Sequence, residues 1–521
     1  MRITNKIMQN NNLSNINTNK IYQDRLSTQM STQKKINRPS DDPVIAIRAL
    51  RLRSNVTEVT QYYSKNIPDA ESWLDVTEDA LKNLSDIITN MISQCTKGSN
   101  APLKTTDREI ILEQLKALGE EVYSTGDADY AGRYVFTGYR TDTSLSFLKE
   151  ETLKYSITEQ LDKSAIDSVT KVNTGKVLDI NSSNYNSADM KGITENDISS
   201  VEVYRIRLAY GDCFDYDGAD NKPSISYTDE NKEVQTWGGD DITVMHSYED
   251  PYTYTGQNDD SIVFVPETGE LLLGKNRYET LMKTKDREET KESEAEIRIT
   301  YEKDSWQKGD LRPEHYFACT SYPEEEGKGP IQYNQSYLTD NVEHQEIEYD
   351  VGFNQTIRVN STADECFKHG IGREADDIVS AMEEVLALEG VLANIEGMLE
   401  KVEEGSESEK TLKNQLDAVN KALTYAKDKE QKLFENGITA FQGYLNESNL
   451  CITNCGTRDS KLSLIKNRMQ NQKTTFETLK SENEDVDITE VAIQLSSAEL
   501  TYEAALMATG KIAQTSLLNY I

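Results

Sequence analysis

Apolar residues recur at helical spacing at both ends of the chain, whereas the middle alternates with a period of two. Residues 1 to about 140 and about 366 to 521 carry apolar stripes at steps of three and four, which is typical of amphipathic helices. The segment between them alternates apolar and polar positions, as half-buried strands do. The pattern predicts an α+β protein: an elongated antiparallel helical coiled-coil bundle formed by both chain ends, with a β-rich inserted central region.

The clearest stripe lies in residues 52–91. Its apolar steps alternate between four and three residues and show one irregular step at Ala70, which is the pattern of a coiled-coil seam with a stutter. Two prolines and two aspartates precede it, Pro39, Asp41, Asp42 and Pro43, and they predict the end of any earlier helix and the cap of the next one.

A second helix is predicted to begin at Thr106, whose spacing to Glu109 is that of a capping box. Towards the other end of the chain, three further stripes occupy residues 378–402, 412–433 and 462–479, and the first of them ends near Gly405. A last helix places apolar residues at heptad steps, namely Ile488, Val491, Leu495, Ala498, Tyr502, Ala505 and Ile512. Each seam is too narrow to fold alone, so the two chain ends need one another or need neighbouring subunits.

These stripes divide the chain into five segments. We expect an N-terminal assembly segment in residues 1–45 and an N-terminal helical rod in 46–140. A β-rich insert of one or two domains follows in 141–365, then a C-terminal helical rod in 366–480 and an assembly helix in 481–521. The first segment is rich in Asn, a weak helix former. We therefore expect it to be disordered in the isolated subunit and to order against partners.

Period-two patterns predict individual strands in the insert. Tyr204, Ile206 and Leu208 alternate with arginines, and residues 262–265 and 271–273 flank a Pro-Glu-Thr-Gly turn in the manner of a hairpin. Further strands are predicted around residues 297–301 and 347–359. The Lys- and Glu-rich segment 275–295 is compatible with either a helix or a solvated linker.

The net charge of the chain limits which kinds of molecule it can bind. The net charge is −34, with about +1 in the first 140 residues, about −25 in the middle and about −10 in the C-terminal part. A chain this acidic repels phosphates, so nucleic acid is excluded as a partner. No stretch approaches the roughly 20 apolar residues of a membrane span, and no Sec-type signal is present. The protein is therefore expected either in the cytoplasm or exported without a cleaved signal peptide.

The sequence contains no constellation that predicts catalysis, a cofactor or a metal site. P-loop, nucleophile-elbow, dinucleotide-binding and zinc-protease motifs are all missing. Residues 215–220 have some likeness to a calcium loop, but the glycine comes too early. Cys451 and Cys455 form the only close cysteine pair, and ordinary thiols are the favoured interpretation.

Three local patterns in the right order resemble bacterial flagellin relatives and, among them, the hook-associated protein 3 group of hook–filament junction proteins. The first combines the N-terminus with a Pro-Ser-Asp-Asp-Pro turn, the second is a Gly-Arg-Tyr-Val-Phe-Thr-Gly-Tyr run, and the third is the C-terminal helix. The second pattern includes Gly132, Arg133, Tyr134, Phe136, Gly138 and Tyr139. The resemblance covers roughly the first 145 and the last 100–150 residues.

The resemblance implies a structural, non-enzymatic subunit of the extracellular flagellum that is exported through the type III channel. About eleven copies would form a ring between a hook-side junction protein and the flagellin filament. A cytoplasmic export chaperone would bind the C-terminal helix, from Val491 to Ile521. The expected assembly interface comprises Ile3, Ile7, Leu26, Met30, Pro39, Asp41, Asp42, Pro43, Leu495, Tyr502, Ala505, Ile512, Leu517, Leu518 and Tyr520.

Two alternatives remain open from the sequence. A filament flagellin belongs to the same class and differs only in its place in the assembly. An adhesin or glycan-active protein, displayed on the flagellum through the Tyr-rich insert, belongs to a different class, because aromatic faces suit sugars.

Overall fold

A computed structural model describes residues 5–100, 103–216, 222–229, 231, 233–284, 297–323, 329–338 and 345–514. The chain divides into two compact units. The first unit comprises Met1–Glu71, Tyr349–Ile357 and Ser460–Ile521, and the second comprises Ser72–Glu348 and Arg358–Asp459. The first unit therefore brings the two ends of the chain together, as the helical stripes predict.

Long helices occupy both ends of the chain and strands occupy its middle, which confirms the α+β class. The helices are α1 (Asn5–Thr32), α2 (Pro43–Gln61), α3 (Ile67–Ser99), α4 (Thr105–Ser124), α5 (Pro251–Gln257), α6 (Lys275–Leu281), α7 (Ala363–Cys366), α8 (His369–Leu399), α9 (Glu407–Glu484) and α10 (Ile488–Gln514). The strands are β1 (Asp129–Tyr130), β2 (Arg133–Tyr134), β3 (Glu151–Leu161), β4 (Ile166–Asn173), β5 (Ser199–Arg207), β6 (Ser224–Thr228), β7 (Val234–Gly238), β8 (Thr243–Val244), β9 (Ile262–Val265), β10 (Glu270–Leu273), β11 (Ile297–Trp306), β12 (Ala318–Tyr322), β13 (Ile331–Tyr333), β14 (Glu348–Gly352) and β15 (Gln355–Arg358).

A change of helix type lies just before the irregular step of the N-terminal seam. A π-helical segment, Tyr62–Asn66, separates α2 from α3 and ends four residues before Ala70. A π-helical turn holds more residues than an α-helical turn, so it shifts the register of the apolar stripe along the helix.

Helix ends follow local chemistry in two of the three predicted places. Asp42 caps α2 by accepting from the Val44 and Ile45 backbone N–H groups, and Gly405 adopts a φ of +80° where the chain leaves the α8 region. The capping box predicted at Thr106 is wrong. Instead α4 begins one residue earlier, and Thr105 donates its hydroxyl hydrogen to Glu389 at 2.8 Å. The first turn of α4 is therefore bound to Glu389 of α8.

The β-rich insert forms two sheets in the second unit. The five-stranded sheet has the order β4-β5-β10-β9-β8, and the six-stranded sheet has the order β13-β12-β3-β11-β6-β7. The predicted hairpin is confirmed, since β9 and β10 are antiparallel neighbours and Gly269 turns between them with a φ of +62°. Within the undecided segment 275–295, α6 is a helix, while residues 285–295 lie outside the described residues.

Buried ion pairs join the five-stranded sheet to α8. Arg205 on β5 is only 5% exposed and contacts Asp167 at 3.0 Å, Glu270 at 2.5 Å and Asp377 at 2.6 Å. Arg207, two residues along the same strand, shares Asp377 at 2.6 Å. Burial alone raises the pKa of Asp377, but the two guanidinium groups outweigh it and hold the pKa below its usual value. The period-two alternation thus places charged side chains where the insert meets a helix.

Candidate assembly surface

Helices α1 and α10 pair along a narrow apolar seam within the first unit. Leu26 of α1 is 2% exposed and packs with Val491 and Ala498 of α10. The Tyr22 hydroxyl donates a hydrogen bond to the side-chain amide oxygen Oε1 of Gln494 at 3.3 Å beside the seam. Few side chains are buried by this pair, so it contributes little of the apolar burial that stabilises a globular core.

The two segments that connect these helices to the rest of the unit bind each other through their backbones. The Lys35 N–H donates to the Glu484 carbonyl at 2.8 Å, and the Val486 N–H donates to the Gln33 carbonyl at 3.1 Å. These bonds make an isolated antiparallel bridge between Lys34 and Asp485. Residues 33–35 and 484–486 therefore act as one two-stranded connector, which aligns the start of α2 with the end of α9.

Ion pairs reinforce the connector. Arg53 of α2 binds Glu484 through two hydrogen bonds of 2.6 and 2.8 Å, and Glu484 is 3% exposed. The hydrogen bond from Arg53 lowers the pKa of Glu484, which keeps this carboxylate charged. Lys34 pairs with Asp485 next to it. The base of the α1–α10 pair is thus held more firmly than the pair itself.

Large apolar side chains remain exposed on three of the helices around the connector, namely α1, α2 and α10. On α10, Ile493, Leu500 and Met507 are 68%, 68% and 67% exposed and recur every seven residues, so they form one line that we call the α10 strip. The other exposed apolar side chains of these helices are Ile7, Met8, Leu13, Ile21, Tyr22 and Met30 on α1, Val44, Ile47 and Leu50 on α2, and Ile488 and Leu506 on α10. Apolar surface of this extent on paired helices is typical of an interface with other chains.

By the exposure of their side chains, the predicted interface residues outside the Pro-Ser-Asp-Asp-Pro turn fall into four groups. Ile7 and Met30 are exposed, whereas Leu26 is buried against α10 within the same chain. The side chains of Leu495, Tyr502 and Ala505 are partly buried. Sequence reasoning missed the α10 strip because it followed the seam on the other side of the same helix, although the heptad spacing was available as a signal. Ile3, Leu517, Leu518, Tyr520 and the side chain of Ile512 lie outside the described part of the chain.

The Pro-Ser-Asp-Asp-Pro turn is built by its two carboxylates. Asp41 accepts hydrogen bonds from the Arg38 N–H at 2.9 Å and the Asn37 N–H at 3.2 Å, and these bonds lower the pKa of Asp41. Asp42 caps α2, and Pro43 supplies the first helical position, where its missing N–H costs nothing. The turn therefore sets the direction of α2 as it leaves the connector.

The Gly-Arg-Tyr-Val-Phe-Thr-Gly-Tyr run packs locally in the second unit, around a turn between β1 and β2. Gly132 has a φ of +77°, and the Arg133 guanidinium lies 5.0 Å from the centre of the Trp73 ring. The Tyr134 N–H donates to the Thr141 carbonyl at 2.8 Å, which closes the loop.

The second half of the run fills the core below that turn. Phe136 is 1% exposed and makes an edge contact with Phe367 at 4.9 Å between ring centres. Gly138 has a φ of +61° at a point where a side chain would collide with Gln345. Tyr139 is exposed, and its backbone N–H donates to the side-chain amide oxygen Oε1 of Gln345 at 3.1 Å. The run thus serves packing and turn geometry.

A cleft of about 1180 Å³ opens in the second unit, lined by α4, α8 and the insert. Lys303, which lines it, donates to the backbone carbonyls of Gly211 at 2.7 Å and Asp212 at 3.1 Å. Arg373 donates to the Thr268 carbonyl. These cations therefore hold loops of the insert.

Metal-binding and membrane-spanning features were sought in the described ranges of the chain. Among those residues, no group of three or more His, Cys, Asp or Glu side chains is placed to hold a metal ion. Of the predicted calcium-like loop, residues 217–220 lie outside the described ranges. No helix in those same ranges has both the length and the apolar character that crossing a membrane needs.

The class of protein follows from the N-terminal helices and the turn between them. Residues 3–141 match the family model described as the bacterial flagellin N-terminal helical region. This is the part of the chain that holds α1 to α4, the Pro-Ser-Asp-Asp-Pro turn and the Gly-Arg-Tyr-Val-Phe-Thr-Gly-Tyr run. The N-terminal part is therefore of the flagellin type.

Comparison with individual proteins shows which flagellin-type proteins the chain is similar to. The chain is 29% identical over 170 residues to flagellar hook-associated protein 3 of Escherichia coli K12, which is 32% of this chain and 53% of that protein. It is 25% identical over 222 residues to a flagellin of Clostridium tyrobutyricum, covering 42% of this chain and 54% of that one. The chain thus spans about half the length of the curated relatives it matches. These similarities confirm the resemblance to the hook-associated protein 3 group.

One solved structure is less similar in sequence to the chain than these relatives are. The crystal structure of flagellar hook associated protein-3 from Legionella pneumophila covers 82% of this chain and 98% of its own, with 9% identity and a TM-score of 0.28.

Proposed function

We propose that the chain is a structural subunit of the bacterial flagellum that joins the hook to the filament. The observation behind this proposal is the apolar surface left exposed on α1, α2 and α10 in one unit made from both chain ends. Exposed apolar surface of this kind marks a site where a neighbouring chain binds. Similarity to flagellar hook-associated protein 3 indicates which assembly supplies the neighbour.

The partners follow from the same role. Copies of the chain would form a ring of about eleven subunits, with a hook-side junction protein on one side and the flagellin filament on the other. The α10 strip is our choice for the contact between copies. Before export, an export chaperone in the cytoplasm would cover the same C-terminal helix and keep its apolar residues from aggregating.

The place of action would be outside the cell, at the hook–filament junction, after export without a cleaved signal peptide. The β-rich insert would face solvent there, in keeping with its acidic character. We propose no enzymatic activity for it, and two of the cations that line its cleft, Lys303 and Arg373, hold backbone carbonyls of the insert.

The terminal segments are proposed to be disordered in the isolated subunit and to order on assembly. The α1–α10 pair buries few apolar side chains, so its opening costs little free energy. Brief trypsin treatment of purified subunit is expected to remove both ends and leave a fragment of roughly residues 45–470, identified by mass spectrometry. Ends that survive digestion as long as the fragment does would contradict this expectation.

Deletion of the gene tests the junction role directly. We expect electron microscopy of the mutant cells to show hooks without filaments, with unpolymerised flagellin in the medium. Expression of the intact gene from a plasmid should restore the filaments. Normal filaments in the deletion strain would rule the proposed role out.

A second candidate is a filament flagellin, since a flagellin matches a longer part of this chain than hook-associated protein 3 does. The same deletion distinguishes the two functions. Short or missing filaments with the junction still attached to the hook would favour the flagellin, because the junction would then have been built without this protein.

A further inference from the structure

Two cysteine side chains that are far apart in the sequence meet in the second unit. Cys366 is the last residue of α7, and Cys451 lies on α9. Cys451 Sγ donates to the carbonyl of Glu365, the residue immediately before Cys366, at 3.4 Å, and the two thiols interact electrostatically. The two residues are 2% and 8% exposed. They thus form a buried thiol pair between two separate elements.

This pair differs from Cys451 and Cys455, the two cysteines that lie close together in the sequence. Cys455, four residues after Cys451, places its Sγ 3.5 Å from the Leu74 carbonyl and is 0% exposed. Cβ vectors four residues apart on one helix run side by side, whereas a disulfide needs them to converge. Cys366 approaches Cys451 from another element, so convergence is possible there.

We propose that Cys366 and Cys451 are an oxidation site, which forms an intramolecular disulfide when the folded subunit meets a small-molecule disulfide in an oxidising medium. Cys451 thiolate would attack the reagent, forming a mixed disulfide and releasing one small thiolate. Cys366 thiolate would then attack the mixed disulfide at the Cys451 sulfur and release the second. The two protein thiols lose two electrons and two protons, and the reagent gains them as two small thiols. This chemistry holds whatever the role of the subunit.

The order of attack follows from the exposure of the two thiols, since Cys451 is 8% exposed and Cys366 is 2% exposed. The interaction between the thiols acts in the same direction, because it lowers the pKa of Cys451 and raises the pKa of Cys366. The sulfur that ionises first is therefore the less buried of the two, which a reagent reaches more readily.

The bond would fasten the exit of the β-rich insert to α9. This exit segment already contacts α9, since Arg458 donates to the Asn360 carbonyl at 2.7 Å and to the Ser361 hydroxyl at 3.3 Å. A covalent link between positions 366 and 451 would remove unfolded conformations in which the two segments separate, and so would stabilise the second unit.

Purified full-length protein is first reduced and then incubated with oxidised glutathione, and its free thiols are counted in denaturant. We expect the count to fall from six to four, with a peptide linking Cys366 to Cys451 in the non-reduced digest. The thermal unfolding midpoint should rise by several degrees on oxidation and return on reduction.

Three variants decide the result. Cys366→Ser and Cys451→Ser should each lose both the linked peptide and the rise in the midpoint, whereas Cys455→Ser should keep both. Cys455→Ser also leaves one cysteine in that region of α9, so that the linked peptide identifies Cys451 without ambiguity. Six free thiols after oxidation, a link through Cys455, or glutathione adducts alone would overturn the proposal.

Discussion

Leu500→Glu is expected to abolish assembly while leaving the subunit folded. Leu500 is the middle residue of the α10 strip and is 68% exposed, so a charge there is harmless in the isolated chain. In an assembly the same carboxylate would be buried without a partner, at a cost of several kcal/mol for each contact. In the proposed ring the same contact would recur between neighbouring copies, so the cost would recur as well. Cells that produce only this variant should show hooks without filaments in electron micrographs and fail to spread in soft agar.

The matched control is Leu450→Glu, which places the same charge on an exposed leucine of α9 in the other unit. Leu450 is 60% exposed, and it lies far along the chain from the α10 strip. Normal filaments are expected with this variant. Circular dichroism of both purified variants should match that of the unchanged protein. Normal filaments with Leu500→Glu, at normal levels of secreted subunit, would refute an assembly role for the strip.

Arg205→Ala is expected to destabilise the second unit by about 3–5 kcal/mol, because it leaves buried carboxylates without their cation. Glu270 is 4% exposed and would lose the Arg205 contact of 2.5 Å, although Tyr252 still donates to it. Asp377 would keep its ion pair with Arg207. All three tryptophans, Trp73, Trp237 and Trp306, belong to this unit, so denaturant unfolding followed by tryptophan fluorescence measures the loss.

Lys191→Ala is the control for the buried network. Lys191 pairs with Glu407 at 2.9 Å, but the two side chains are 43% and 80% exposed, so its removal should change the free energy of unfolding by no more than about 1 kcal/mol. If the free energies of unfolding of the two variants differ by less than about 1 kcal/mol, the buried Arg205 network adds no more stability than an exposed ion pair does.

Acid should weaken the same network. The pKa of Asp377 is lowered in the folded state, so the carboxylate binds its proton less readily there than in the unfolded chain. The resulting stability is complete above the unfolded pKa and is lost as the pH falls through the folded pKa. The effect of Arg205→Ala should therefore be largest near neutral pH.

The features that were predictable from sequence are those decided by neighbouring residues. Asp42 caps α2 because its carboxylate reaches N–H groups two and three residues ahead, and Gly269 turns the β9–β10 hairpin because it tolerates a positive φ. The stutter near Ala70 was visible in the spacing of the apolar residues, although the sequence did not show that a π-helical segment would precede it. The capping box predicted at Thr106 was wrong. The residue before it, Thr105, is bound instead by Glu389, which lies far along the chain and could not be read from neighbouring residues.

Features that depend on distant residues could not be read in this way. The partner of Cys451 is Cys366 and not its neighbour Cys455, because the fold, and not the spacing along α9, brings the sulfurs together. Likewise, Leu26 and Ile7 look alike in the sequence, yet one is buried against α10 and the other is half exposed. Which apolar face stays free depends on which helix packs against the other.

By itself the sequence determined the α+β class, the position of the helices, the strand-rich middle and the likeness to flagellin-type chains, because periodicity, turn chemistry and motif order are local properties. Only the tertiary structure decided that residues 33–35 and 484–486 pair, that Arg205 gathers three carboxylates, and that Ile493, Leu500 and Met507 remain uncovered. Each of these depends on segments separated by tens to hundreds of residues. Their meeting is determined by the packing of whole elements, which the spacing within any one element does not specify.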